Sequence, residues 1–259
     1  MLNLNKEASV VTDKDNIVNL SKCPNCGSYT LHMFYMQQAQ TRQQSKWYSC
    51  SCGILWQHGY KPYPYDIKYL EKYVQQDKKF SEASKYIVKV VSPLLEEMIY
   101  GRKVLFVGRN QYQQDEFEHR GWITYAIDNN TSFTTSERLI ADNFETYSFA
   151  EDFKVNMVWF YHTLESLVDP FMALKKVKQI LAEDGILFIA TPDSDFLYTR
   201  GLAGFLHWRH DFNHVLWNKR ALVSHLDSLG FNVILARKNY EHRFPERDDL
   251  WCIAQVKFF

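Results

Sequence analysis

Net charge is absent from this sequence: thirty lysines and arginines balance thirty aspartates and glutamates over 259 residues. No overall field therefore draws the chain to nucleic acid or to an acidic membrane, although a local patch stays open. Long apolar runs are missing as well, and none approaches the roughly 18 residues that a membrane-crossing helix needs. The opening stretch MLNLNKEASVVTDKDNIVNL has neither a basic region nor an apolar one, so no export signal is read there and a cytoplasmic protein is expected. There is no internal repeat and no low-complexity tract. What is present is an ordinary globular balance, 46% hydrophobic and 23% charged, which supports a sizeable core and excludes disordered and collagen-like chains. The length suits two unequal parts.

Cysteine is scarce outside one place. Of five cysteines, four fall between Cys23 and Cys52, as Cys23-Pro-Asn-Cys26-Gly and Cys50-Ser-Cys52-Gly. In a reducing compartment such pairs read as two turns that offer thiolates to one tetrahedral ion, with zinc the expected metal and free or redox-active thiols the alternative. Gly27 and Gly53 suit the left-handed backbone that brings amides toward the sulfurs. Short strands are expected over Tyr29 to Tyr35 and Lys46 to Tyr48, the layout of a zinc ribbon. The second pair has one intervening residue, so Cys50 and Cys52 are expected to point the same way along an extended segment, with His58 or His32 able to replace one of them. A closed four-ligand site is structural, because it leaves no coordination position for chemistry. Cys252 lies in an apolar run and reads as core.

Along the chain, residues 1–20 read as a loose arm, 21–60 as the ribbon, 61–100 as a helical linker or cap, and 101–259 as an α/β domain. In the linker, Ile87, Val90, Val91, Leu94, Leu95, Met98 and Ile99 recur at helical spacing, with a kink or restart expected at Pro93. Strands are expected at Lys103–Val107, Ile123–Ile127, Asn156–Phe160, Gly185–Ala190, Phe231–Ala236 and Leu250–Phe258. Helices are expected at 112–120, 170–182 and 218–229. Strands that alternate with helices make a parallel sheet covered on both faces, and ligands then bind beyond the carboxyl ends of its strands.

Read in order, these segments resemble a class I S-adenosylmethionine-dependent methyltransferase with an N-terminal zinc ribbon, over nearly the whole chain from Cys23. The resemblance rests on Val104-Leu-Phe-Val-Gly108, on Gly121-Trp-Ile-Thr-Tyr-Ala-Ile-Asp128, on Asn156 to Glu165 with Asp169-Pro170, on Leu181 to Pro192, and on His214-Val215 with the later Leu229-Gly-Phe231. It implies a Rossmann-like seven-stranded sheet and S-adenosyl-L-methionine as cofactor. It also implies that Gly108 and Asn110 lie at the cofactor turn, and that Asp128, with Asn129 beside it, accepts hydrogen bonds from ribose hydroxyls. Asp142, Asn143 and Phe144 fall where the adenine is held, and Tyr161 and His162 fall at the pocket floor. The turn departs from the family's pattern: Phe106 replaces an acid, and Asn110 and Tyr112 stand where glycines are usual, which is expected to narrow or reshape the pocket.

Methyl transfer is an in-line displacement helped mainly by alignment, and a base is needed only when the acceptor carries a proton to remove. His162, just after a central strand, is the candidate base, against the plain reading that it only hydrogen-bonds within the domain. His214 closes the segment His207-Trp-Arg-His210-Asp-Phe-Asn-His214, which resembles the family's substrate-facing stretch. A second metal site and ordinary packing are its alternatives. Asp193 and Asp195 read either as contacts to a polar substrate or as solvated carboxylates. Three functions stay open. The first is a methyltransferase for a small polar acceptor such as a sugar or metabolite. The second is a binding or assembly protein that kept the fold without the catalysis and engages a protein partner. The third is a nucleic-acid modifier, which the neutral charge disfavours. A membrane partner is not expected.

Overall fold

The structure, a computed structural model, describes residues 11–12, 18–19, 22–37, 44–57, 78–129, 138–197, 213–238 and 249–257. Strands β1 (Val11–Thr12) and β2 (Val18–Asn19) form a small antiparallel pair. Strands β3 (Leu31–Gln37), β4 (Gln44–Cys50) and β5 (Leu55–Gln57) form an antiparallel meander that carries the cysteine pairs at its ends. Helix α1 (Lys78–Glu96) follows. It runs on through Pro93, because a proline in the last turn removes only one hydrogen bond near an end that is already fraying. Its buried face carries Ile87, Val88, Val91 and Leu95, with Ile99 buried just beyond its end, whereas Leu94, expected inside, is 55% exposed. Residues 58–77, which include His58 and the first part of the expected helical linker or cap, lie outside the described residues.

The rest of the chain builds the central sheet. Its strands are β6 (Lys103–Val107), β7 (Ile123–Asp128), β8 (Leu139–Ala141), β9 (Val155–Tyr161) and β10 (Leu181–Pro192), then, after the short β11 (Val215–Leu216), β12 (Phe231–Lys238) and β13 (Asp249–Val256). Helices α2 (Gln111–His119), α3 (Pro170–Ile180) and α4 (Lys219–Ser228) connect them. The strand order is β12-β13-β10-β9-β6-β7-β8, and β13 alone runs antiparallel to its neighbours. This is the Rossmann-like methyltransferase arrangement, with helices on both faces.

The near-continuous apolar strands are what a doubly covered sheet requires. Alternate residues serve opposite faces. Val104, Phe106, Trp159 and Phe188 pack with the buried residues of α1 and with Phe117 of α2. Leu105, Val107, Phe160 and Ile189 pack with α3, α4 and the cysteine-bearing meander. Phe106 is buried in an aromatic cluster, edge-on to Phe117 and tilted against Trp159, so the position where the family carries an acid is here a core position. Each of the helices α2, α3 and α4 starts on a side-chain cap: Asn110 accepts from Gln113 N, Asp169 from Met172 N with Pro170 behind it, and Asn218 from Ala221 N. Strand order reverses between β6 and β9, which places the binding crevice at their carboxyl ends.

Candidate functional site

At the carboxyl end of β6 the chain turns through Gly108 at φ +84°. A side chain there is barred on two counts: the dihedral favours glycine, and an added Cβ would lie 2.6 Å from Thr163 Oγ1. The turn is anchored to β7. Gly108 N donates to Ile127 O (2.9 Å) and Arg109 N donates to an Asp128 carboxylate oxygen (2.7 Å). Asn110 is a structural residue in its side chain, since it caps α2 and its Nδ2 donates to Ser84 Oγ (3.3 Å). Tyr112 lies half-buried on α2 with Lys85 over its ring.

Beyond β8, Asp142 is exposed and accepts from Asn143 N, while Asn143 accepts from Glu145 N (2.8 Å). Phe144 is buried edge-on to Phe160. Lys176 of α3 donates to the carbonyls of Phe144, Glu145 and Tyr147, which fixes this loop over the sheet edge. Asn129 is exposed and Tyr161 buried. The positions expected around a cofactor thus lie on neighbouring strand ends, β6 to β9.

His162, the first residue after β9, is the one non-glycine among the described residues with positive φ, +53°. Such a dihedral costs on the order of 1 kcal/mol and persists only where surroundings enforce it. Here the enforcement is electrostatic as well as steric. Nδ1 lies 3.5 Å from Glu165 Oε1 and Nε2 lies 3.4 Å from Asp249 Oδ2. Two carboxylates facing both ring nitrogens favour the doubly protonated ring. Burial alone would depress the imidazole, but Asp249 and Glu165 outweigh it and raise the pKa to about 9. Thr191 Oγ1 donates to the other Glu165 oxygen (2.9 Å), which orients that buried carboxylate. His214 is buried, and desolvation pushes its pKa down to about 3, so it is neutral. Its backbone links two elements, its N–H donating to Glu165 O (2.7 Å) and its carbonyl accepting from Gln57 N (2.8 Å).

A second polar group lies beyond β10. Lys238 at the end of β12 reaches Asp193 (3.1 Å), which is fully buried, and the half-exposed Asp195 (2.9 Å). Desolvation raises the carboxyl of Asp193, whereas Lys238 and Asn218 hold that of Asp195 down against its own burial.

The four cysteines of the meander converge. Their sulfurs all lie within 4.8 Å of one another, with Cys23–Cys52 at 3.6 Å and Cys26–Cys50 at 3.5 Å. A tetrahedral zinc with Zn–S near 2.3 Å implies sulfur–sulfur edges of about 3.8 Å, so the set has the size such an ion needs. Hydrogen bonding by Cys23, helped by Asn25 and Ile54 N, lowers the Cys52 thiol to about 4. The second pair is not extended as expected. Cys50 ends β4 and Cys52 sits in a turn closed by Gly53 N donating to Cys50 O (2.9 Å), with Gly53 at φ +99°, and this curl lets a one-residue spacing aim both sulfurs at one point. His32 is exposed on β3, outside the cluster.

A family model described as "Methyltransferase domain" matches residues 52–236, more than half of the chain. The chain belongs to the methyltransferase-domain family. Among solved structures, this methyltransferase is similar to an S-adenosylmethionine-dependent methyltransferase from Clostridium acetobutylicum ATCC 824 (10% identity, 73% of this chain and 96% of that one, TM-score 0.52). It is similar to another from Archaeoglobus fulgidus (16%, 73% and 98%, 0.53). A third is the Burkholderia thailandensis 1,6-didemethyltoxoflavin-N1-methyltransferase with bound 1,6-didemethyltoxoflavin and S-adenosylhomocysteine (13%, 72% and 83%, 0.52). At these identities the likeness is one of fold. No curated protein matches the chain.

Sequence reasoning about the methyltransferase missed Asp249 and Lys238, both of which close on the site from the last two strands. Neither stands out locally: Lys238 follows Arg237 at the end of an apolar run, and Asp249 closes the charged run Glu246-Arg-Asp-Asp249 before one. The strand pairing of Pro192 with Asp249 and of Lys238 with Leu250 brings them in. His207 and His210 lie outside the described residues, as does the rest of their segment before Asn213.

Proposed function

We propose that this methyltransferase binds S-adenosyl-L-methionine at the ends of β6, β7 and β8 and methylates a small polar acceptor, a sugar or a metabolite, held beyond β9 and β10. The observation that carries this reading is the bond from Arg109 N to Asp128, which presents the carboxylate at the crevice beside a turn where no Cβ fits. Asp128 and Asn129 would hold the ribose side, with Gly108 and the backbone of Asn110 lining the turn. Asp142, Asn143 and Phe144 would hold the adenine, and Tyr161 would close the floor. When bound, the cofactor supplies a methyl carbon activated by a sulfonium.

The residues beyond β9 and β10 would orient the acceptor. His162 holds protons on both nitrogens at neutral pH, so it would act as a base only after giving one up. His214, neutral and buried, acts in this reading through the Glu165 carbonyl and is a positioning residue. The cysteines Cys23, Cys26, Cys50 and Cys52 would hold one zinc ion with all four positions filled, a structural centre and not a catalytic one.

Calorimetric titration of the purified chain with S-adenosylhomocysteine tests the reading: binding in the micromolar range is expected. Absence of heat and of a thermal shift at millimolar ligand would discard it in favour of a methyltransferase-fold binding or assembly protein.

A further inference from the structure

The cysteine centre is joined to the acceptor side of the sheet by more than packing. Strand β11, contributed by the methyltransferase sheet's own connecting segment, is the fourth strand of the ribbon sheet, pairing Val215 with Trp56 and Leu216 with Leu55. Cys23, Cys50, Ile54 and Trp56 share one core with Trp217, Ala221 and Leu222. Two contacts run from the cysteine knuckle to the start of α4. Asn25 Nδ2 lies 3.4 Å from Cys52 Sγ and 3.5 Å from Ala221 O. Gly53, at the tip of the knuckle, abuts the side-chain amide of Asn218 so closely that a Cβ on it would fall 2.3 Å from that amide.

Both ends of the Asn218 amide are committed. Its Oδ1 accepts from Ala221 N (2.9 Å), and its Nδ2 donates to Asp195 Oδ1 (3.0 Å). The other Asp195 oxygen takes Lys238, which also reaches the buried Asp193. Ser194 closes the same loop, its N–H donating to Trp217 O (2.9 Å) and its hydroxyl to Gly53 O (3.5 Å). A cap needs only the oxygen of Asn218. The nitrogen arm reaches toward the loop after β10, and the amide plane that aims it rests on the knuckle.

We propose that Asn218 is a positioning residue through which the four-cysteine knuckle fixes the acceptor-side wall at Asp193, Asp195 and Lys238, an inference that rests on the methyl-transfer reading above. Asn218→Ser separates the two duties of the side chain, because serine caps a helix about as well as asparagine but carries no arm to Asp195.

Hydrogen exchange on the full chain provides the test. The amides of Asp195, Phe196 and Leu197 are reporters, since each is bonded within the loop, to Asp193 Oδ1, Asp193 O and Ser194 O. Chelation of the metal from the unmutated chain is expected to speed their exchange about fivefold, the effect of losing one net hydrogen bond. In metal-loaded Asn218→Ser they should already be that fast, with no further response to chelation, while residues 104–107 and 157–160 stay protected in every sample. Asp195→Ala, which removes the far end of the arm and leaves the cap alone, should abolish the chelation response at Phe196 and Leu197 as well. Unaltered rates at these amides in metal-loaded Asn218→Ser, or a persisting response to chelation, would overturn the proposal. Should the chain carry no metal, the zinc reading fails by itself, and Cys52→Ser then replaces chelation as the perturbation. A failure of the cofactor reading shows separately, in the titration with S-adenosylhomocysteine.

Discussion

The backbone N–H of Arg109 donates a 2.7 Å hydrogen bond to a carboxylate oxygen of Asp128, tying the turn after β6 to the tip of β7. The arrangement explains how the turn keeps its place with a single glycine, since the carboxylate holds the backbone that further glycines would otherwise leave loose. Asp128→Ala is expected to weaken S-adenosylhomocysteine binding at least about tenfold, the loss of one charge-assisted contact of about 1.4 kcal/mol or more. Asp128→Asn, which keeps an acceptor oxygen, should lose less. Calorimetry on both variants measures it, and equal affinity in all three proteins would detach Asp128 from the cofactor.

Gly108→Ala should destabilise the fold by about 1–3 kcal/mol in denaturant unfolding, through the positive φ and the clash with Thr163 together. In a Thr163→Ala background the clash disappears and the dihedral strain stays, so the cost of Gly108→Ala should shrink without vanishing.

The main sheet was legible because its strands are buried on both faces and so appear as apolar runs such as Val104 to Val107 and Met157 to Tyr161. Strands β5, β8 and β11 span two or three residues each, too short for any period to show, and β11 exists as a strand only because Trp56 lies beside Val215. The cysteine spacing indicated convergence but not the knuckle turn at Gly53. In the candidate site, residues at or just after a strand's end could be read from their position, as with Asp128, His162 and Asp193. Asp249 and Lys238 could not, because what places them is the antiparallel pairing of β13 with its two neighbours.

Elemental analysis should find about one zinc per chain, and its removal should lower the melting temperature reversibly. Because Cys23, Cys50 and Trp56 belong to the core that also holds Ala221 and Leu222, the loss should spread into the segment around α4. Cys23→Ser should behave like the chelated protein, with faster amide hydrogen exchange in α4 (Lys219–Ser228) as the local readout. A melting curve indifferent to chelator would refute a bound structural ion.

His162 links stability and activity with opposite signs. Its folded pKa of about 9 lies above the ordinary value of 6.5, so the folded state holds the extra proton more tightly. The stabilisation is fully present below pH 6.5 and is lost as the pH rises through 9, on the order of 3 kcal/mol in all. Over the same window a reaction that needs His162 as base should speed up, as more of the ring is deprotonated. His162→Gln should flatten the alkaline fall in stability, followed by urea unfolding from pH 6 to pH 10. A fall of the same size in that variant would place its origin elsewhere.

On the acid side the governing groups are buried neutral imidazoles. His225 of α4 packs against the rings of Phe171 and Trp217, which also touch each other, and among the described residues neither of its nitrogens has a hydrogen-bond partner. Desolvation depresses its pKa to about 4, and that of His214 to about 3. A depressed imidazole binds its proton in the unfolded chain before it does in the folded one. Stability is therefore intact above pH 6.5 and drains away as the pH falls through 4. Phenylalanine at this position would keep an aromatic ring against Phe171 and Trp217 and remove both the titration and the two unpaired nitrogens. His225→Phe is expected to be at least as stable as the parent at pH 7. The gap in unfolding free energy between pH 7 and pH 4.5 should narrow by about 2–3 kcal/mol, and His214 sustains what remains of it. An unchanged gap would mean that the ring of His225 takes up its proton without leaving the core.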